Sequence, residues 1–432
     1  MRTASAVGMG LYLGGRAKGA AAKPAKLEAL AVNGGPKAVT ASAAKSTKWP
    51  LYGEAEIEAV TKLLHDPNYG PVAEFEEAWK EYFDCEYAKA HCNGTSALTS
   101  MLFALELPAG SEVLVPDYST WFPVVPMRFF DLSPVFVDVN PQTLNIDLED
   151  CKRRLTSKTR AIMPVHWYGV PCEMDDICAF AKEHGLEVVE DASHSHGARV
   201  KGIHTGKWGR MAGFSMQATK PLPSIEGGIC MYKDRFDFER ATVYGNYDLP
   251  NTFPEDSPYR KYQGTAFGSK LRIHPASALL AKIQLQGLDE RNAAGCAQIR
   301  RLNDQITQLP GLSEQHTRPD MDRVYYSKNL MFVDEKEAGM SRAEAVKALQ
   351  AEGVDAREYN WTLLHTYPFM NESRWWSHMP VIPEEGSVPG CDQANKQCIS
   401  LPYWTSDQPE LVEQYARAFE KVWAHRDKIG KA

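Results

Sequence analysis

The sequence reads as an α/β protein, with a large domain built on a mostly parallel central sheet sandwiched by helices and a smaller C-terminal α/β domain. Short apolar runs recur at residues 112–115, 134–139, 161–165, 187–190, 213–216 and 228–232. Runs this short and this apolar suit strands buried on both faces. Helical periodicity separates them at residues 95–105, 148–155 and 174–184, the alternation that parallel β/α units require. From residue 275 to about 309 the period is helical throughout, in one long helix or two, which makes a bridge to a second domain.

Taken in order, residues 1–40 read as a flexible tail or a signal-like segment. Met1-Arg2 precedes a small, apolar stretch and then Arg16-Ala17-Lys18, which resembles part of a twin-arginine export signal without its paired arginines. Residues 54–65 place Ile57, Val60, Leu63 and Leu64 on one helical face, and residues 72–83 do the same with Phe75, Trp79, Tyr82 and Phe83. Asp66-Pro67-Asn68-Tyr69-Gly70-Pro71 between them is a loop. After the β/α array, residues 329–333 read as a strand and 343–352 and 410–425 as helices. The expected division is a large domain over 41–290 and a small one over 291–432.

The chain has 432 residues, 44% hydrophobic and 24% charged, with a formal net charge of -7. That composition buries a large core. The acidic balance argues against a nucleic-acid partner, which needs a basic patch. No apolar run reaches the roughly 18 residues of a membrane-spanning helix, so a membrane is not expected as a partner either. The expected location is the cytoplasm, or the periplasm if residues 1–23 are a truncated export signal. Nine cysteines, an odd number without a Cys-x-x-Cys pair, suggest reduced thiols and neither a disulfide framework nor a zinc site. Twelve histidines include no His-Glu-x-x-His, and no metal is expected.

Lys220 closes the run Gly213-Phe214-Ser215-Met216-Gln217-Ala218-Thr219-Lys220, with Glu226-Gly227-Gly228 beyond it. Upstream, an apolar run ends in Glu190-Asp191-Ala192-Ser193-His194. A lysine downstream of an acid at the end of a buried strand suits pyridoxal 5'-phosphate (PLP): the lysine holds the aldehyde as a Schiff base and the acid keeps the pyridine nitrogen protonated. A surface lysine and an unrelated loop acid would look the same from spacing alone. Asn93-Gly94-Thr95-Ser96 opens a helix whose free amides and dipole make a phosphate seat, to which Ser215 adds a hydroxyl. Trp121, in the loop after the 112–115 strand, is placed to stack on a flat ring.

The order of these motifs resembles the DegT/DnrJ/StrS family of PLP-dependent, fold type I aminotransferases. The resemblance runs through Asn93-Gly94-Thr95-Ser96-Ala97-Leu98, Thr120-Trp121, Pro164-Val165-His166-Trp167-Tyr168-Gly169, the Glu190–His196 segment, the Ser215-to-Lys220 spacing and Glu226-Gly227-Gly228. It continues through Gly268-Ser269-Lys270-Leu271-Arg272, Gln284-Leu285, Leu364-His365 and Leu401-Pro402, and covers roughly residues 45–425. It implies that Lys220 is the Schiff-base lysine and proton shuttle and that Asp191 pairs with the pyridine nitrogen. Trp121 would then lie over the ring, and Gly94, Thr95, Ser96 and Ser215 would hold the phosphate. His194 stands where the family more often has Gln, near the 3-hydroxyl. Lys270 stands where many members have an Asn that reaches the neighbouring subunit's phosphate. The loop 116–121 is one residue longer than the usual pattern. With Lys220 present, the chain differs from the dehydratase relatives that carry His there.

The implied activity is transfer of an amino group from glutamate or glutamine to a keto-sugar, keto-cyclitol or related ketone, in a homodimer with shared active sites. Two other readings stay open: an enzyme acting on small non-sugar ketones or aminobenzoate-type precursors, and a PLP-binding sensor without turnover. Acceptor-facing candidates are Tyr69, Tyr168, Tyr247 and Tyr359-Asn360-Trp361, with Trp375-Trp376 adding aromatic surface.

Overall fold

The computed structural model describes residues 28–43 and 47–429, so the signal-like reading of residues 1–23 lies outside the described residues. The first half runs α1 (Glu54–His65), α2 (Gly70–Phe83), β1 (Tyr87–His91), α3 (Gly94–Leu105), β2 (Glu112–Pro116), β3 (Ser133–Val137), α4 (Leu148–Arg154), β4 (Thr159–Ile162), α5 (Met174–His184) and β5 (Glu187–Asp191). A short hairpin, β6 (Arg199–Val200) and β7 (Ile203–His204), precedes β8 (Met211–Ser215), β9 (Gly228–Tyr232) and α6 (Arg235–Val243). The helical bridge is two helices, α7 (Pro275–Gln286) and α8 (Leu288–Ile306), which meet at Gly287.

The large sheet has seven strands in the order β1-β9-β8-β5-β4-β2-β3. The contiguous pairs from β8 to β3 are parallel, and β9 runs antiparallel to both β8 and β1. β2, β3 and β9 are buried at every residue, which is why their sequences read as unbroken apolar runs. β1 escaped the sequence pattern because Lys89 interrupts it. Lys89 is buried and pairs with Glu76 of α2 at 2.9 Å.

Downstream come β10 (Leu312–Glu314), β11 (Met321–Asp322), β12 (Lys328–Val333), α9 (Glu335–Ala338), α10 (Arg342–Ala351), β13 (Arg357–Glu358), α11 (Pro368–Asn371), α12 (Pro389–Gln397), β14 (Cys398–Pro402) and α13 (Pro409–Ala424). β10-β12-β14-β13 form an antiparallel sheet covered by α8, α10 and α13, with Leu302, Met331, Phe419 and Trp423 in its core.

Two expectations need correction. Residues 28–40 are not tail: Leu30 and Val39 lie in the core of the C-terminal body. Ala31 and Ala38 donate their amides to the buried carboxylate of Glu352 at 2.7 and 3.0 Å, so apolar burial and a shared acceptor tie this segment down. The chain also returns to the large sheet late, where Leu364, Met370 and Trp376 pack with the apolar face of α3. α1 turns part of its apolar stripe outward, with Ile57 65% and Leu64 74% exposed and Val60 and Leu63 half-buried. Its buried residue is Glu56, which accepts the Gly53 amide at 2.8 Å and a hydrogen bond from Gln284 at 2.7 Å.

The returning segment is pinned at Asp117, just past β2. Asp117 accepts the His365 backbone amide at 2.9 Å and its Nδ1–H at 2.5 Å. The carboxylate holds the imidazole above the usual histidine range against partial burial. A group whose folded pKa is raised stabilises fully below its unfolded value, near ~6.5, and loses that stability as pH rises through the folded value. Thermal melts should therefore show a fall in Tm above about pH 6.5 that is absent from His365→Gln, worth no more than about 1 kcal/mol at so accessible a site.

Candidate active site

A cavity of about 420 Å³ opens at the carboxyl ends of β5 and β8 and the start of α3, where open α/β sheets place their ligands. It is within the range of small-molecule pockets, about 300–1,000 Å³. Gly94, Thr95, Asp191, His194, Ser215 and Lys220 all line it.

Lys220 sits in the loop between β8 and β9, which is closed on itself by Met216 N–H to Gly227 O at 2.8 Å and Ala218 N–H to Ile225 O at 2.9 Å. The Trp49 indole donates to the Lys220 carbonyl at 3.1 Å, and Tyr52 Oη accepts the Ile225 amide at 3.0 Å. Its Nζ lies 3.4 Å from Tyr326 Oη and 4.6 Å from the centre of that ring. Tyr326 reaches the site from the turn before β12, where Ser327 adopts a left-handed backbone (φ 61°) that few non-glycine residues take. No sequence signal marked Tyr326.

Asp191 ends β5 and is buried. Burial pushes its pKa up, opposed by Ser193, Lys220 and His166. Its Oδ1 accepts the Ser193 amide at 3.0 Å. The preceding Glu190 is buried and accepts three amides, from Gly206, Trp208 and Gly209, at 2.7–2.9 Å. His166 accepts the Cys172 amide on Nδ1 at 3.0 Å, so its proton is on Nε2, which donates to Glu190 at 3.1 Å. These bonds fix the end of β5 and hence the direction of Asp191. His194 is stacked on Tyr326 at 4.3 Å and takes the Tyr168 amide on Nδ1 at 3.4 Å. Burial, and then Lys220, hold it neutral, well below the usual histidine range.

The start of α3 is a prepared anion seat. Asn93 Oδ1 caps the Ser96 amide at 2.8 Å, and the first helical bond runs from Ala97 N–H to Asn93 O. The amides of Gly94 and Thr95 thus precede the ladder and face the cavity end of the helix. The seat needs two glycines. A Cβ on Gly94 would lie 2.5 Å from Ser215 Cβ, and one on Gly228 would lie 2.3 Å from the Asn93 carbonyl oxygen. Ser96, expected at the phosphate, does not line the cavity: its amide is taken by Asn93 Oδ1 and its hydroxyl contacts Cys92 Sγ at 3.1 Å.

Two further expected contacts, Trp121 and Lys270, are not in this cavity. Trp121 is 43% exposed and packs on Phe122 at 4.0 Å, whereas Thr120 and Phe122 line the cavity. Phe122, itself 42% exposed, is the aromatic of this loop that reaches the cavity. Phe122→Ala should therefore weaken PLP affinity by roughly 5-fold, about 1 kcal/mol for a lost aromatic contact, and Trp121→Ala much less. A cofactor titration of the two variants checks this. Lys270 is exposed and does not line the cavity of its own chain. Of the acceptor candidates, Tyr168 and Trp361 line the cavity, and Tyr359 donates to Tyr168 Oη at 2.8 Å. Tyr69 and Tyr247 instead flank Arg272, and Trp376 is buried under the large sheet.

The residues fit PLP: an amine for its aldehyde, a buried acid whose raised pKa calls for a cation, and a helix start sterically cleared for an anion. Residues 51–420 match the DegT/DnrJ/EryC1/StrS aminotransferase family. The chain is 29% identical over 375 residues to the dTDP-3-amino-3,4,6-trideoxy-alpha-D-glucose transaminase of Streptomyces venezuelae, covering 85% of this chain and 92% of that protein. It is 28% identical over 436 residues to the L-glutamine:2-deoxy-scyllo-inosose aminotransferase of Micromonospora echinospora, covering 93% and 99%. The X-ray structure of the aminotransferase from Psychrobacter cryohalolentis superposes with a TM-score of 0.79 at 25% identity, over 88% of this chain and 99% of that one.

Proposed function

The chain belongs to the DegT/DnrJ/EryC1/StrS aminotransferase family, and from that premise we propose that it moves an amino group from glutamate or glutamine to a keto-sugar or keto-cyclitol, working as a homodimer with shared active sites. It is a PLP-dependent aminotransferase of fold type I. The observation that carries the site assignment is the meeting of Lys220, Asp191, Ser215 and the start of α3 in one cavity. The names of the sugar and cyclitol aminotransferases to which the chain is similar support the acceptor class.

When bound, PLP supplies an electron sink for charge developing on the carbon beside the transferred nitrogen. Asp191 would hold the proton of the ring nitrogen, and its burial strengthens that pairing. Gly94, Thr95 and Ser215 would bind the phosphate. Lys220 would hold the aldehyde, and its Nζ, the amine within reach, carries the proton to and from the donor's α-carbon. His194, neutral and stacked, would orient the ring without adding a second cation. Trp361 and the Tyr168–Tyr359 pair would face the acceptor and exclude water.

A second copy would cover the outward stripe of α1 and the exposed Phe267 beside Lys270. Lys270→Ala should weaken PLP affinity by roughly 10- to 100-fold, as loss of a charge-assisted contact. Mixing Lys220→Ala with Lys270→Ala protomers should restore one tight site per heterodimer. Unchanged affinity, or a monomer by light scattering, would remove the shared site. Among the described residues no helix is long and apolar enough to cross a membrane. We place the reaction in the cytoplasm, where its nine free cysteines stay reduced. A panel of keto-sugars, keto-cyclitols and simple ketones, assayed with glutamate and glutamine, tests the function. Turnover of simple ketones alone would overturn the acceptor class.

A further inference from the structure

A second cavity, of about 280 Å³, meets the first at Lys220 and Tyr326, which line both. It lies between the Lys220 loop and the C-terminal body, and its charges are unbalanced. Arg291, Lys328 and Arg357 line it against one carboxylate, Asp355. That carboxylate is engaged, since it accepts Arg357 Nε at 3.1 Å. Arg291 uses Nη2 on the Gln284 carbonyl at 2.6 Å, while its Nε is buried with no hydrogen-bond partner. Lys328 forms no salt bridge among the described residues. Burial lowers the pKa of both cations, outweighing the pull of Glu56 and Glu290 on Arg291 and of Asp355 on Lys328, as expected where desolvation exceeds the nearby opposite charge.

We propose that this cavity is a carboxylate subsite, in which Arg291 and Lys328 bind the carboxylate of the amino donor while its amine reaches Lys220. The size sets the ligand class. At the lower end of the pocket range, about 300 Å³, it suits a five-carbon amino acid and not a nucleotide. The cofactor's phosphate already has its seat at α3, in the other cavity, so the cations here are left for a different anion. Tyr326 stands between the two spaces, with its ring over Lys220 Nζ, and would separate the donor's carboxylate from the cofactor ring. The proposal rests on the glutamate-type donor assigned above and names the residues that select it.

Glutarate, a five-carbon dicarboxylate without an amine, separates the two. The PLP-loaded enzyme should bind it, as read by calorimetry, and glutarate should compete with glutamate. Lys328→Met and Arg291→Met should each weaken glutarate binding and raise KM for glutamate by roughly 10- to 100-fold, with the KM for the acceptor unmoved. Lys328→Arg should retain most of the affinity. Circular dichroism and melting of each variant guard against a folding defect, and Lys328, which forms no salt bridge among the described residues, is the safer of the two. If glutarate binds and the variants lose it, but glutamate is not consumed, the subsite stands and the donor assignment fails. If the wild type ignores glutarate, the inference is overturned. The same follows if both variants bind it as tightly, or if the acceptor's KM rises instead.

Discussion

Lys220→Ala is expected to abolish transamination and every covalent link between protein and cofactor. Among the described residues Lys220 is the lysine that lines the cavity holding Asp191 and the α3 seat, so it is the amine placed to do both tasks. The loss should exceed that of any other single change, because the same nitrogen holds the aldehyde and carries the proton. PLP should still be retained, more weakly, through Gly94, Thr95 and Ser215. Borohydride reduction of the wild type followed by peptide mapping should place the cofactor's mass on Lys220. An adduct on a different lysine, or residual turnover in the variant, would overturn the assignment.

Asp191→Asn is expected to lower kcat by roughly 10²–10³-fold, the scale of removing one preorganised electrostatic partner, with the covalent link to Lys220 intact. The amide fills the same space but cannot balance a protonated ring nitrogen. Stability should move the other way. Burial raises the folded pKa of Asp191, so in the cofactor-free protein the ionised carboxylate costs stability at neutral pH. That cost disappears as pH falls through the folded pKa. The apo variant should therefore melt no lower than apo wild type at pH 7, and PLP should raise the Tm of wild type more than that of the variant. Near-normal turnover would place the essential acid elsewhere.

The parts of the site that could be read from the sequence share a property. Asp191, Ser215 and Lys220 each follow an apolar run at a strand's carboxyl end, and Gly94 and Thr95 open a helix with small residues, so local chemistry and position on the sheet agree. Tyr326 and Phe122 lack any such mark. Tyr326 depends on a left-handed turn at Ser327, and Phe122 stands beside a second aromatic, Trp121, that nothing in the sequence distinguishes from it. The large sheet was legible except for β1, where the charge of Lys89 is matched by Glu76, which lies 13 residues earlier in the chain. Periodicity likewise showed which residues of α1 share a face, but the polar contacts of Glu56 decide which way that face points.

The C-terminal body draws its core from residues 299–356, from 399–423 and from Leu30 and Val39, while Leu364, Met370, Trp376 and Ile382, between the two long stretches, pack with the large sheet. It is therefore not a module that one continuous piece of chain specifies. Chimaeras that exchange acceptor preference between related enzymes by swapping everything after α8 would import a body missing its own N-terminal contacts and export the whole returning segment. Workable breakpoints would have to carry residues 28–43 along with the C-terminal graft and leave residues 364–382 with the host.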